Sequence, residues 1–166
     1  MLEVRGREIR LSPFAESTAR IRSGATVNLG GEDFHLHSDA SNLRINCSNL
    51  QSQLKPNDVI YVDDGAVVGI VTEVHETGVK LEIKIGGNIK SGAAVRVTAG
   101  KHGNLPLVTK SDIEDLSAMS SVGVIDYLAV PFISTGADIK QVRECLGVYG
   151  AGINVLAKID TIDGVH

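Results

Sequence analysis

The chain has 166 residues, 43% of them hydrophobic and 22% charged, an ordinary globular composition with room for one or two small domains. Sixteen Lys and Arg against twenty Asp and Glu give a net charge of −4, and only 4% of the residues are aromatic, with no Trp; without a basic field or stacking platforms, nucleic acid is not an expected partner. MLEVRGREIR is charged from its third residue and no apolar run reaches the roughly 18 residues of a membrane span, so neither signal peptide nor membrane anchor is expected, while Cys47 and Cys145 form no C-x-x-C pair and point to reduced thiols in the cytoplasm.

Up to about Thr98 the apolar residues come in short runs rich in Val and Ile, separated by Gly, Asn, Asp and Pro. This texture predicts strands near Val4 to Leu11, Thr26 to Leu29, Phe34 to His37, Leu43 to Cys47, Val59 to Val62, Ala66 to Val74, Val79 to Ile85 and Ala94 to Val97. Turn signals stand at Gly30-Gly31, Lys55 to Asp58, Asp64-Gly65, Thr77-Gly78 and Gly86-Gly87. Many short strands at such spacing predict an antiparallel barrel or sandwich.

After Pro106 the pattern changes. Thr109-Lys-Ser-Asp112 reads as a helix cap, followed by Ile113, Leu116 and Met119 at helical spacing. Tyr127 to Val130 predicts a strand buried on both faces, Ile139, Val142 and Leu146 a second helix, and Ile153 to Ala157 another buried strand that stops at Lys158. Helices alternating with buried strands imply a parallel sheet, whose two strands here need neighbours on both edges, so a homo-oligomer or a partner chain is expected.

Several residues invite chemistry, and each has a plain alternative. Asp63-Asp64-Gly65 puts two carboxylates at a strand end; Asp-Gly between apolar runs is foremost a hairpin signal, although such a carboxylate can also reach a ligand or metal. Lys158 directly follows a buried strand, where a (β/α) barrel places its active site, and an ammonium there can stabilise a transferring phosphoryl group or an enolate. Lone lysines are more often solvated charges. Asp160 and Asp163 can hold a divalent cation, or simply decorate a loop. His35 and His37 share one side of a strand without a third metal ligand at convincing spacing. Arg5, Arg7 and Arg10 alternate with other residues, and Arg10 faces either a phosphate or solvent on a charged edge strand.

Four stretches together resemble the pyruvate kinase family. Residues 2–10, LEVRGREIR, are similar to the family's L-D-T-K-G-P-E-I-R, and residues 55–65, KPNDVIYVDDG, to its K-P-G-D-x-I-Y-V-D-D-G. NLP at 104–106 with SDIEDL at 111–116 resembles D-L-P and S-E-K-D-x-x-D-L, and AKIDTIDGV at 157–165 resembles S-K-I-E-N-x-E-G-V. The resemblance implies a β-rich plus α/β chain. Residues 1–11 would be a strand of the catalytic barrel, residues 12–104 an antiparallel β-barrel-like lid domain, and residues 105–166 a fragment of a (β/α)8 TIM barrel. It also implies the glycolytic transfer of phosphate from phosphoenolpyruvate to ADP with Mg2+ and K+. Lys158 would be the catalytic lysine and Phe132 the aromatic packed beside it. Arg10 would lie near the phosphates, Asp64 would be a lid carboxylate, and Asp160 a metal ligand.

The departures from the family are specific. Glu3 and Val4 replace the Asp-Thr of the potassium site and Pro131 a Ser that also serves it, Asp160 replaces a Glu, and residues 92–99, GAAVRVTA, stand for the lysine-rich K-K-G-V-N-L-P-G. These changes predict weakened cation and ADP binding. Because R-x-N-F-S-H and G-D-L-G do not occur in the 166 residues, the chain alone is expected to be inactive. The competing expectation is a non-catalytic β-domain binding module, or a pseudoenzyme that docks on another chain.

Overall fold

Val79, Leu81 and Ile83 alternate with Lys80, Glu82 and Lys84, the period-2 pattern that buries one face of a strand. In the computed structural model these residues lie in β8 (Gly78–Ile85), with Leu81 and Ile83 each 1% exposed. The structure describes residues 1–32, 34, 38–98, 105–120, 123, 125–161 and 164–165. The chain divides into two units, one of Met1–Glu8 with Leu105–His166, the other Ile9–Asn104.

The second unit is built on a seven-stranded sheet of β2 (Ile9–Arg10), β10 (Ala94–Val97), β6 (Val59–Val62), β7 (Val67–His75), β8, β4 (Thr26–Gly30) and β5 (Asn42–Arg44), in that order. All neighbours are antiparallel except β4 and β5, which pair in parallel from Asn28↔Asn42 to Gly30↔Arg44, a departure from the expected all-antiparallel sheet. The sheet curls until its ends meet: Leu11 and Ile45 form an antiparallel bridge, flanked by Ser12 N–H to Arg44 O at 2.8 Å and Asn46 N–H to Arg10 O at 3.0 Å. Ile9, Leu29, Leu43, Ile60, Leu81 and Val95, each 3% exposed or less, fill its concave side. Thr18–Ile21 (β3) and Gly87–Lys90 (β9) form a separate antiparallel pair that the sequence pattern did not announce, because only one residue of each strand is buried.

The first unit holds a parallel sheet, β1 (Leu2–Glu3), β11 (Tyr127–Val130) and β12 (Asn154–Ala157), with β11 in the centre. Leu2 pairs with Leu128, and Tyr127 to Val130 pair with Asn154 to Ala157. Helices α1 (Lys110–Ser120) and α2 (Gly136–Leu146) bury Leu116, Val142 and Leu146 with Val4, Leu128, Val130 and Ile153 in one core. Thr109 caps α1 as expected, its hydroxyl accepting from Asp112 N–H at 3.1 Å, and α2 starts on a Thr135/Asp138 capping box. Met119, expected on the buried stripe, is 39% exposed.

The predicted strand Val4 to Leu11 is interrupted. Between β1 and β2 the backbone turns, Glu8 N–H donating to Arg5 O, with Gly6 at φ +52°. The Asp112 carboxylate draws the Arg5 and Gly6 N–H groups to itself at 2.9 and 3.2 Å, which takes them out of any ladder. The predicted strand Phe34 to His37 falls mostly outside the described residues, as do both of its histidines; Phe34 itself is not in a strand.

Candidate active site

Register places one row of side chains on the face of the parallel sheet turned away from the helices. Glu3 pairs with Ala129 and Ala129 with Leu156, so Lys158, two residues past Leu156, projects to the same side. The ladder continues beyond the strand ends, with Lys158 N–H donating to Val130 O at 2.9 Å and Ile133 N–H to Lys158 O at 3.1 Å. The two long side chains meet, with Lys158 Nζ 2.5 Å from Glu3 Oε1. This bond raises the Lys158 pKa above its ordinary value, with the charges of Glu3, Asp160 and Glu8 adding to it against a partial desolvation. The pair is half open to solvent, so it fixes orientation more than it stabilises the fold.

Asp160 lies two residues further on, exposed, with Oδ2 accepting from Phe132 N–H at 3.1 Å. Phe132, directly after the β11 extension, is 8% exposed and holds a left-handed φ of +59°. An aromatic residue in that region is strained by about 1–3 kcal/mol, and such strain persists where surrounding bonds dictate it. Here the Asp160 carboxylate and the Lys158 carbonyl accept from the peptide N–H groups on either side of the Phe132 Cα, those of Phe132 and Ile133. Phe132, Lys158 and Asp160 therefore form one group, to which Glu3 belongs. Asp163 lies outside the described residues.

Arg10 and Asp64 belong to the other unit. Arg10, on β2, is exposed and directs its guanidinium to Gly92 O at 2.7 Å. It pairs with Ala94, whose carbonyl accepts from Asp63 N–H at 2.9 Å, so Arg10 and the Asp63-Asp64 turn flank the same strand. That turn closes the β6–β7 hairpin with Gly65 N–H donating to Val62 O at 3.2 Å. Its central residues are Asp63 and Asp64, at φ +52° and +53°, one position earlier than the Asp64-Gly65 signal suggested. Val62 pairs with Val67, so the connection has four residues, and three of them in succession, Asp63, Asp64 and Gly65 at φ +94°, are left-handed. Asp64 is 83% exposed, 3.7 Å from Arg96 Nε.

Local sequence gave no sign of Glu3 as the Lys158 partner, since the two stand 155 residues apart and meet only through the β1–β11–β12 register. Arg96, a single charge among small residues, carries no motif either.

A parallel α/β unit that gathers a lysine, a carboxylate and a strained aromatic past the C-terminal ends of its strands is of the class whose ligand sites lie at those ends. The family model for pyruvate kinase, barrel domain, matches residues 1–166. The chain is 32% identical over 168 residues to a pyruvate kinase of Clostridium perfringens, a match covering 99% of this chain and 34% of that protein. It is 26% identical to pyruvate kinase II of Salmonella typhimurium (98% and 34% covered) and 27% identical to pyruvate kinase PKLR of Homo sapiens (99% and 29%). This chain belongs to the pyruvate kinase family, and it spans about a third of the length of these relatives.

Proposed function

We propose that the chain carries part of the site for phosphoryl transfer from phosphoenolpyruvate to ADP, giving pyruvate and ATP. The observation that carries this reading is the Lys158 group: an ammonium held at a strand end beside Asp160 and a strained, buried Phe132. Lys158 supplies the cation that steadies the phosphoryl group in flight or the enolate oxygen. Phe132 walls its stem, and on the other unit the family resemblance assigns Arg10 to phosphate and Asp64 to the lid's carboxylate role. In this reading residues 1–8 and 105–166 belong to a (β/α)8 barrel and residues 9–104 to its lid, a boundary three residues earlier than the sequence suggests.

Magnesium fits Asp160, because this cation takes one or two carboxylates and completes its shell with water and substrate phosphate. One oxygen of Asp160 is tied to Phe132 N–H, and the exposed residue leaves the other for the cation. Bound there, Mg2+ would neutralise phosphate charge. Potassium does not fit: the Glu3 carboxylate is engaged by Lys158, Val4 is apolar and 3% exposed, and Pro131 has no hydroxyl. No step is assigned to it.

The 166 residues by themselves do not turn over in this proposal. The Lys158 ammonium is already engaged by Glu3 and would have to leave it to meet a phosphoryl group. The same Glu3–Lys158 pair favours the second reading, a pseudoenzyme or binding module docked on another chain. Two measurements test the proposal. A coupled assay with Mg2+ and K+ should give no phosphotransfer above background, and turnover of about 1 s⁻¹ or more would refute that part. Mn2+ added with phosphoenolpyruvate should broaden the amide resonances of residues 158–160 and spare them in Asp160→Asn; equal broadening in the variant would remove the metal role.

A further inference from the structure

The ribbon of β3 and β9 stands apart from the seven-stranded sheet, and its pairing leaves one edge of β3 uncovered. Ser91 N–H donates to Ser17 O at 2.8 Å, which makes Thr18↔Lys90 and Arg20↔Asn88 the pairs without mutual hydrogen bonds. The N–H and C=O groups of Thr18 and Arg20 therefore turn away from β9. The Thr18 N–H is taken up locally, by Glu16 O at 2.7 Å. Among the described residues the Thr18 C=O and the Arg20 N–H and C=O have no partner.

A cavity of about 350 Å3 lies against this strand, within the range of about 300–1,000 Å3 that ligand sites enclose. Thr18, Ala19 and Arg20 all line it. Consecutive strand residues point to opposite faces, so what these three have in common is the edge itself. Phe14, Ala15 and Ala40 give the lining small or apolar surface. Two carboxylates also border the cavity. Asp39 is engaged with its own loop, Oδ1 accepting from Ser41 N–H at 2.7 Å and Asn42 N–H at 2.8 Å, while Glu16 keeps its side chain unpaired among the described residues.

The outer face of the ribbon is cationic. Arg20 and Lys90 share it with the exposed Asn88 and Thr18, whereas Ile21 and Ile89, of opposite parity, are each 2% exposed. Neither cation has an ion-pair partner among the described residues, and they occupy diagonal cross-strand positions close enough to act on one anion. A second copy of this chain is the wrong occupant, because joining two β3 edges would crowd their Arg20 guanidiniums onto one short edge.

We propose that the β3 edge takes a short extended segment of a partner protein as a third strand of the ribbon, with an acidic side chain beside Arg20 and Lys90 and small aliphatic neighbours over Phe14, Ala15 and Ala40. Main-chain bonds to the Thr18 C=O and the Arg20 N–H and C=O hold such a strand, and its alternate side chains give selectivity. Glu16 repels a second acid, so the segment carries one carboxylate flanked by small residues.

The probes are a blocked pentapeptide Val-Ala-Glu-Ala-Val, its Gln and Lys analogues, two versions of the Glu peptide N-methylated at alternate amides, and free glutamate. Each is titrated into the whole chain and followed by NMR. The Glu peptide should shift the Arg20 amide and slow its hydrogen exchange, the Gln peptide should bind more weakly and the Lys peptide not at all. One alternate set of N-methyl groups should abolish binding and the other leave it intact. Arg20→Ala should weaken the Glu peptide about fivefold or more, and Arg20→Glu should transfer the preference to the Lys peptide. Ala40→Leu, which fills the cavity, should weaken the Glu peptide with far-UV dichroism unchanged. Equal binding of both N-methylated peptides would reduce the contact to charge alone and overturn the proposal. So would free glutamate reproducing the peptide's shifts, resonance changes confined to strands other than β3 and β9, or no response at millimolar peptide.

Discussion

Asp112 is 3% exposed, and its carboxylate collects four donors: Arg5 N–H at 2.9 Å, Gly6 N–H at 3.2 Å, Thr109 N–H at 2.8 Å and the Thr109 hydroxyl at 2.6 Å. It caps α1 and at the same time pins the turn that ends β1. Burial alone would push its pKa up, but the bonds from Thr109, Arg5 and Gly6 outweigh that and hold it below the ordinary carboxylate value. Asp112→Asn keeps the shape and removes the charge. Whichever way the new amide turns, its NH2 faces at least one backbone N–H, an orphaned donor worth about 1–3 kcal/mol, and the remaining bonds lose their charge assistance. We expect a loss of about 3 kcal/mol at pH 7, read from urea unfolding followed at the amides of Leu128 to Val130. A depressed folded-state pKa contributes stability that is complete above the unfolded value of about 3.9 and is lost as pH falls through the folded value. The gap between parent and variant should therefore narrow below about pH 4. A gap under about 1 kcal/mol at pH 7, or one that is the same at pH 7 and pH 3, would refute the account.

Gly6→Ala should destabilise the same unit by about 1–3 kcal/mol in thermal or urea unfolding, because a Cβ there meets Leu107 O at 2.7 Å in a backbone already at φ +52°. Asp64→Gly should raise the stability of the β6–β7 hairpin by about 1 kcal/mol, read by hydrogen exchange at Val62 and Val67, because it relieves a side-chain-bearing residue held at φ +53°. Burial, with the Glu32 charge adding to it, pushes the Cys47 thiol up to about 12, so at pH 8 Ellman's reagent should titrate the exposed Cys145 alone and reach Cys47 only after denaturation.

The elements that could be read from the sequence are those whose pattern is local. Val59–Val62, Ala94–Val97 and Tyr127–Val130 match the expected strands end to end, since apolar alternation or a continuous apolar run between turn residues specifies them without reference to the rest of the chain. The β1–β2 interruption was not legible, because the groups that impose it come from Asp112, more than a hundred residues away. The parallel β4–β5 pair was hidden for a related reason: strand polarity depends on the path of the intervening chain, and hydropathy carries no record of it.

The candidate site divides along the same line. Lys158 and Asp160 stand out because a charge that follows an apolar strand is visible at one glance, yet what each charge does depends on side-chain reach across the sheet. Glu3, for which the resemblance gives Asp, pairs in register with Ala129 and reaches the Lys158 ammonium. Asp160, for which the resemblance gives Glu, accepts from the Phe132 N–H. Against the resemblance these are two exchanges of one methylene in opposite directions, and they leave the lysine paired and one Asp160 oxygen bonded to the backbone. Neither exchange alters the hydropathy pattern or the charge count, so only the register of the three parallel strands exposes the difference.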